Sequence, residues 1–173
     1  MRKLMSLVVV ITMAPLCAIA QQKAAPRATD AKAAFALLKT LAGNWQGNTG
    51  PGGPPAKVSY RLTAGGTTLV ETMFPGDEHE MVTVYYMDGS DLKATHYCVV
   101  GNQPMLKLNA QKSTSAELVF DFNGGTNMNP AVDTHMHSGS IKVLGPDSIE
   151  SHWSGLSNGK PDGTKDLFLK RSK

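Results

Sequence analysis

After Gly43 the chain carries no helical period. To Arg171 it is a series of short runs of alternating or β-branched residues, cut by turn signals. The runs cover 44–47, 57–64, 67–74, 81–87, 92–100, 105–110, 117–122, 134–144, 148–154 and 165–171. Gly65-Gly66 and Asp88-Gly89 are tight-hairpin signals. Gly145-Pro146-Asp147 and Asn158-Gly159-Lys160 are further turns, and 48–55 is a longer Gly/Pro-rich loop. About ten short strands joined by such connections predict antiparallel pairing of successive strands. A sheet with that many strands avoids exposed edges by closing on itself. The expected fold is a mainly β, antiparallel up-and-down barrel.

One helix precedes the strands. Asp30 suits its N-cap, Phe35, Leu37, Leu38 and Leu41 recur at helical spacing, and Gly43 suits its stop. Its expected role is to pack on the barrel or close it. Residues 1–20 have the three parts of a secretory signal: basic Arg2-Lys3, an apolar run over 4–16, and the small-residue end Ala18-Ile19-Ala20. Cleavage after Ala20 leaves a flexible Ala/Gln/Pro-rich leader over 21–29 and a single domain over 30–173, with a periplasmic or secreted location. Leu16 stands where a lipoprotein needs a small residue before Cys17, and no second long apolar run follows, so no membrane anchor is expected. The signal holds two of the 17 basic residues, leaving 15 against 14 acidic ones. No stripe of Lys and Arg interleaved with aromatics remains, so a nucleic-acid partner has no footprint here. Cleavage also removes Cys17, leaves Cys98 alone and rules out an intramolecular disulfide in the mature chain.

Two segments carry the chemistry. His96 and Cys98 are two apart in one strand-like run, and His135 and His137 are two apart in another. Period-two geometry points each pair one way, and in both runs that face is the more apolar one, toward the lumen. Imidazoles at i and i+2 have Cα atoms roughly 6.5 Å apart, near enough to reach one ion at about 2.0–2.1 Å. Glu71 lies on an otherwise apolar face between Leu69 and Met73 and needs a cation or hydrogen-bond donors to be tolerated there. The candidate ligand-binding set is therefore Glu71, His96, Cys98, His135 and His137, with His96, His135 and His137 as candidate metal ligands. The alternative is a satisfied polar network in which Glu71 and the histidines pair with Thr and Tyr hydroxyls. His79 on a charged connection and His152 opposite Trp153 are expected at the surface. Cys98 reads as a small buried hydrophobe, because no Asn or Asp is placed to complete a Cys-His catalytic set. Phosphate-cradling loops, paired Cys motifs and a His-Glu-x-x-His helix are absent from the sequence.

Leu41-Ala42-Gly43-Asn44-Trp45 resembles the Gly-x-Trp entry of calycin-type barrels, the lipocalins and fatty-acid-binding proteins. The resemblance implies that Trp45 closes one barrel end and that Arg171, after the last strand, packs over it. A longer likeness runs through 35–45, Phe74-Pro75-Gly76, His79 to Tyr85, His96-Tyr97-Cys98, Gly101-Asn102-Gln103-Pro104, His135-Met136-His137 and Trp153 with Gly159-Lys160. It resembles a family of small, often exported bacterial proteins with lipocalin-like barrels and no assigned activity. This implies a calycin-like fold and brings no catalytic residues. No position here answers the proximal histidine of the more distant haem-binding nitrobindin barrels, which argues against haem.

Three functions are compatible with these observations. The first is an exported barrel that binds a small molecule in its lumen, directly or through a divalent metal. The second is a Zn- or Fe-dependent enzyme built on the lumen histidines. The third is a structural or interaction module. The absence of a catalytic set favours a binding protein over an enzyme.

Overall fold

A computed structural model describes residues 30–173. The expected signal segment and leader lie outside them. Helix α1 (Ala31–Lys39) is capped as its sequence predicts, with Asp30 Oδ1 accepting the Ala33 N–H at 2.8 Å. Its apolar face buries Ala34, Phe35 and Leu38. The helix stops at Thr40 rather than at Gly43, because the Thr40 hydroxyl donates to the Leu37 carbonyl at 2.7 Å.

Ten strands follow: β1 (Gly43–Asn48), β2 (Pro55–Thr63), β3 (Thr68–Met73), β4 (Met81–Asp88), β5 (Asp91–Tyr97), β6 (Gln103–Leu108), β7 (Glu117–Thr126), β8 (His135–Gly145), β9 (Ser148–Ser157) and β10 (Lys160–Arg171). Each pairs antiparallel with the next, and β10 pairs back onto β1, which closes an up-and-down barrel. Alternation sets the inner face. Leu69, Glu71 and Met73 on β3, Leu92, Ala94 and His96 on β5, and Ile149, Ser151 and Trp153 on β9 are all buried.

Several strand limits depart from the sequence pattern, three of them for a visible reason. β5 ends at Tyr97, because Cys98 to Asn102 folds into a turn in which the Gly101 N–H reaches the Cys98 carbonyl at 2.9 Å. β7 continues through Asn123-Gly124-Gly125, which reads as a loop. β10 begins at Lys160, where Pro161 and Gly163 hide the alternation and the register slips between Pro161 and Thr164.

A meander sends its connections to alternate ends. The helix, the Ala64–Gly66 turn, the two-residue Gly89-Ser90 hairpin and residues 109–116 and 146–147 gather at one end. Residues 49–54, 74–80, 98–102, 127–134 and 158–159 gather at the other. The first end is closed by Trp45, which is buried and donates its indole N–H to the Leu41 carbonyl at 2.8 Å. The Arg171 guanidinium lies 4.4 Å from the centre of that ring. It also donates to the carbonyls of Ala42 at 2.8 Å and Thr40 at 2.9 Å, tying the last strand to the end of the helix. Gly43 is required here, since its φ is +133° and a Cβ would lie 2.9 Å from Arg171 Nη1. The second end is open.

Candidate ligand site

Below the open end runs one row of register partners: Tyr60 opposite Glu71, Glu71 opposite Thr83, Thr83 opposite His96. All four are buried. Tyr60 donates to one Glu71 oxygen at 2.8 Å, and Tyr85 donates to the other at 2.6 Å. Burial pushes the Glu71 carboxyl above its ordinary range, against the pull of the two phenols that donate to it. Burial and the neighbouring Glu71 push both phenols well above theirs, so they remain donors across the working pH range. Both carboxylate oxygens are thus engaged. Glu71 does not line the cavity described next, and the network expected as the alternative is what surrounds it.

The cavity opens above this row and has a volume of about 300 Å³. His96, Cys98 and His135 line it together with Met73, Met136 and Trp153. His96 Nδ1 is 2.9 Å from the Thr83 hydroxyl, and burial alone depresses its pKa to about 4, so the ring is neutral near pH 7. Cys98 is half-buried, a free thiol at the start of the β5–β6 turn. The Trp153 indole is buried and its Nε1–H has no hydrogen-bond partner among the described residues. A second hollow of about 430 Å³ adjoins the cavity at Met81 and Lys165. Exposed Val99 and Val100 in the β5–β6 connection and Val132 in the β7–β8 connection make the rim of this end apolar.

His135 and His137 do not follow simple alternation. β8 has one residue more than β9 between the pairs Met136–Gly155 and Ser138–Ser154, so His137 is the extra residue of a bulge. The bulge brings Met136, expected outside, onto the cavity wall beside His135. It leaves His137 off that wall, with its ring stacked on Phe122 at 5.0 Å. Pairing of β7 with β8 ends at Asp121–Ser138, so Phe122 lies beyond the last paired residues. His135 Nδ1 is 2.7 Å from the Asp133 carbonyl, which can only accept. In the neutral ring Nε2 is then the acceptor, and it takes the His137 Nδ1–H at 3.2 Å. Burial first, and then the neighbouring His135, lowers the His137 pKa, while Asp121 raises it.

The two histidines therefore spend facing nitrogens on each other. Of the three candidate metal ligands, His96 and His135 share the cavity and His137 does not. Among the described residues no group of three or more His, Cys, Asp or Glu side chains is gathered so that it could hold a metal ion. His79 is exposed beside Asp77. His152 pairs with Asp166 at 2.9 Å on the outer face, as its position opposite Trp153 predicts.

Sequence reasoning missed the methionines. Met73 and Met81 flank the connection over 74–80, and Met73 shares a face with Glu71, which was a readable signal. Met136 was hidden by the bulge. Trp153 was legible as inward-facing from its alternation with Ile149, but its unpaired N–H depends on the packing around it. No protein-family model matches the chain, and comparison with curated proteins finds no match.

Proposed function

We propose that this chain is an exported barrel protein that takes one small molecule into the open end of its lumen. The observation that carries this reading is the cavity itself. Its wall is mainly apolar, with Met73, Met81, Met136, Cys98 and Trp153 in it, and the ring nitrogen of His96 that Thr83 does not hold has no hydrogen-bond partner among the described residues. A ligand hydroxyl placed against that nitrogen adds a hydrogen bond, about 0.5–1.5 kcal/mol. Pockets of this size, mainly apolar with a few directed polar groups, are the usual form of a small-molecule site. The closed end, held by Trp45 and Arg171, makes the lumen a blind cup rather than a channel.

The test is titration with an uncharged fluorescent apolar probe, N-phenyl-1-naphthylamine, against the intact protein and against Met136→Trp. That substitution fills the cavity from a residue that is only half-buried. Saturable one-to-one binding that the filled variant loses, with its cooperative unfolding retained, is the expected result. Equal binding by the two proteins, or no saturable binding to either, refutes the reading.

A further inference from the structure

We infer that the ligand of this cavity is an uncharged aromatic molecule of one or two rings carrying a hydroxyl or carbonyl oxygen. This rests on the small-molecule reading above and names its chemical class.

Size comes first. A cavity of about 150 Å³ lined by apolar side chains holds benzene, and this one is about 300 Å³. One or two rings fill it. Shape and polarisability come next. Met73, Met81 and Met136 place thioethers around the space, and Trp153 supplies an indole. Sulfur–aromatic and aromatic–aromatic contacts favour a flat ring over an alkyl chain of equal area.

Charge is excluded by position. The charged residues that touch the cavity, Asp162 and Lys165, are exposed at its mouth. Of the other polar side chains, Thr134 and Thr164 are exposed, Ser154 is half-buried, and His96 and His135 are buried. His135 is already committed to the Asp133 carbonyl and to His137. A carboxylate or ammonium seated beside Trp153 would find no opposite charge there, and an unpaired buried ion is costly.

The oxygen is called for by His96, the buried side chain of the wall whose ring still has a nitrogen without a partner among the described residues. Its Nδ1 is taken by Thr83, so its other nitrogen is the one left for the cavity. Depending on the tautomer that nitrogen accepts or donates, and a hydroxyl satisfies either. An aryl alcohol therefore matches the site with either tautomer, and an aryl carbonyl only with the one that donates.

The experiment uses nitrogen-15-labelled protein at pH 7 and follows the indole N–H signals of Trp45 and Trp153, assigned with Trp153→Phe. The Trp45 signal is an internal control, since that N–H is held by the Leu41 carbonyl at the closed end. Four probes are titrated: 2-naphthol, naphthalene, 2-naphthoate and decanoate. The expected result is saturable one-to-one binding of 2-naphthol that moves the Trp153 signal and leaves that of Trp45 in place. Naphthalene should bind about tenfold more weakly, the scale of one well-placed hydrogen bond. His96→Leu, with cooperative unfolding retained, should bring 2-naphthol down to the affinity of naphthalene. Tighter binding of decanoate or 2-naphthoate than of 2-naphthol overturns the aromatic, uncharged class and leaves the small-molecule reading standing. Binding of 2-naphthol that spares the Trp153 signal also overturns the assignment. No saturable binding of any of the four probes, together with none of N-phenyl-1-naphthylamine, takes down both.

Discussion

Gly139 on β8 and Trp153 on β9 are register partners, and the absence of a side chain at Gly139 is what gives the indole its place against the barrel wall. A Cβ at Gly139 would lie 2.1 Å from Trp153 Cε3 and 2.8 Å from the His152 carbonyl oxygen. The second of these atoms is backbone and cannot move aside alone. The glycine is therefore a positioning element for the cavity wall and not a turn residue.

Gly139→Ala should displace the Trp153 ring, destabilise the fold by about 1–3 kcal/mol, the range for overpacking a filled site, and weaken probe binding at the open end. Urea unfolding and the N-phenyl-1-naphthylamine titration check both parts. Stability within about 0.5 kcal/mol of the parent, the scatter of ordinary surface changes, together with unchanged binding, would show that the indole does not depend on this contact.

The closed end makes an independent prediction. Arg171 lies over Trp45 and bonds two carbonyls at the end of the helix, so Arg171→Ala should cost about 2 kcal/mol from the lost cation–π and hydrogen-bond contacts. Arg171→Lys should recover only part of this, because a single ammonium cannot reproduce a planar fork. Trp45→Ala should cost about 3–5 kcal/mol, as for other buried large aromatics. Chemical denaturation of the three variants is the measurement, and a loss at Trp45 within about 0.5 kcal/mol would mean that the ring does not seal the barrel. None of the three should alter probe binding at the opposite end once the fold is formed.

The helix, the ten strands and their order were legible because each inner face is an alternation that water enforces residue by residue. Glu71 was legible as a misplaced acid on an apolar face, and His96 as an inward imidazole. Their partners were not, because Tyr60 and Tyr85 reach Glu71 through cross-strand register, and register is a property of pairs of segments that neither segment encodes alone. The expectation that His135 and His137 share one face with Met136 opposite rested on unbroken alternation. The bulge at His137 removes that assumption, and nothing in Thr134 to Ser138 announces it. Likewise the cavity owes its character to Met73, Met81 and Met136, from three different strands, which only closure of the barrel brings together.

Buried Glu71 predicts a pH signature that separates it from a surface acid. Its folded pKa is raised above the ordinary 4.5. Its contribution to stability is therefore full below that value, where both states are protonated, and is lost as pH rises through the folded pKa. A glutamine does not ionise. Unfolding free energies of Glu71→Gln and the parent, measured from pH 4 to pH 8, should diverge upward from about pH 4.5 in favour of the variant, then run parallel. A constant difference across that range would show that Glu71 titrates as freely in the barrel as in the unfolded chain.

His96 acts in the opposite direction. Its folded pKa is about 4, against an ordinary 6.5, because burial disfavours the imidazolium. Above pH 6.5 the ring is neutral in both states and costs nothing. As pH falls from 6.5 toward 4, the unfolded chain takes up a proton that the barrel refuses, and stability declines through that window by up to about 3 kcal/mol. His137, whose pKa is also lowered, adds a contribution of the same sign, and Glu71 opposes it. The contribution of His96 is isolated by subtraction: His96→Gln, which preserves a polar partner for Thr83 and cannot titrate, should lose less stability than the parent between pH 6.5 and pH 4. Urea unfolding of both proteins at half-unit pH steps measures it. Parallel curves would mean that the imidazole accepts its proton in the folded state, and that the wall of the cavity is wetter and more tolerant of charge than its lining implies.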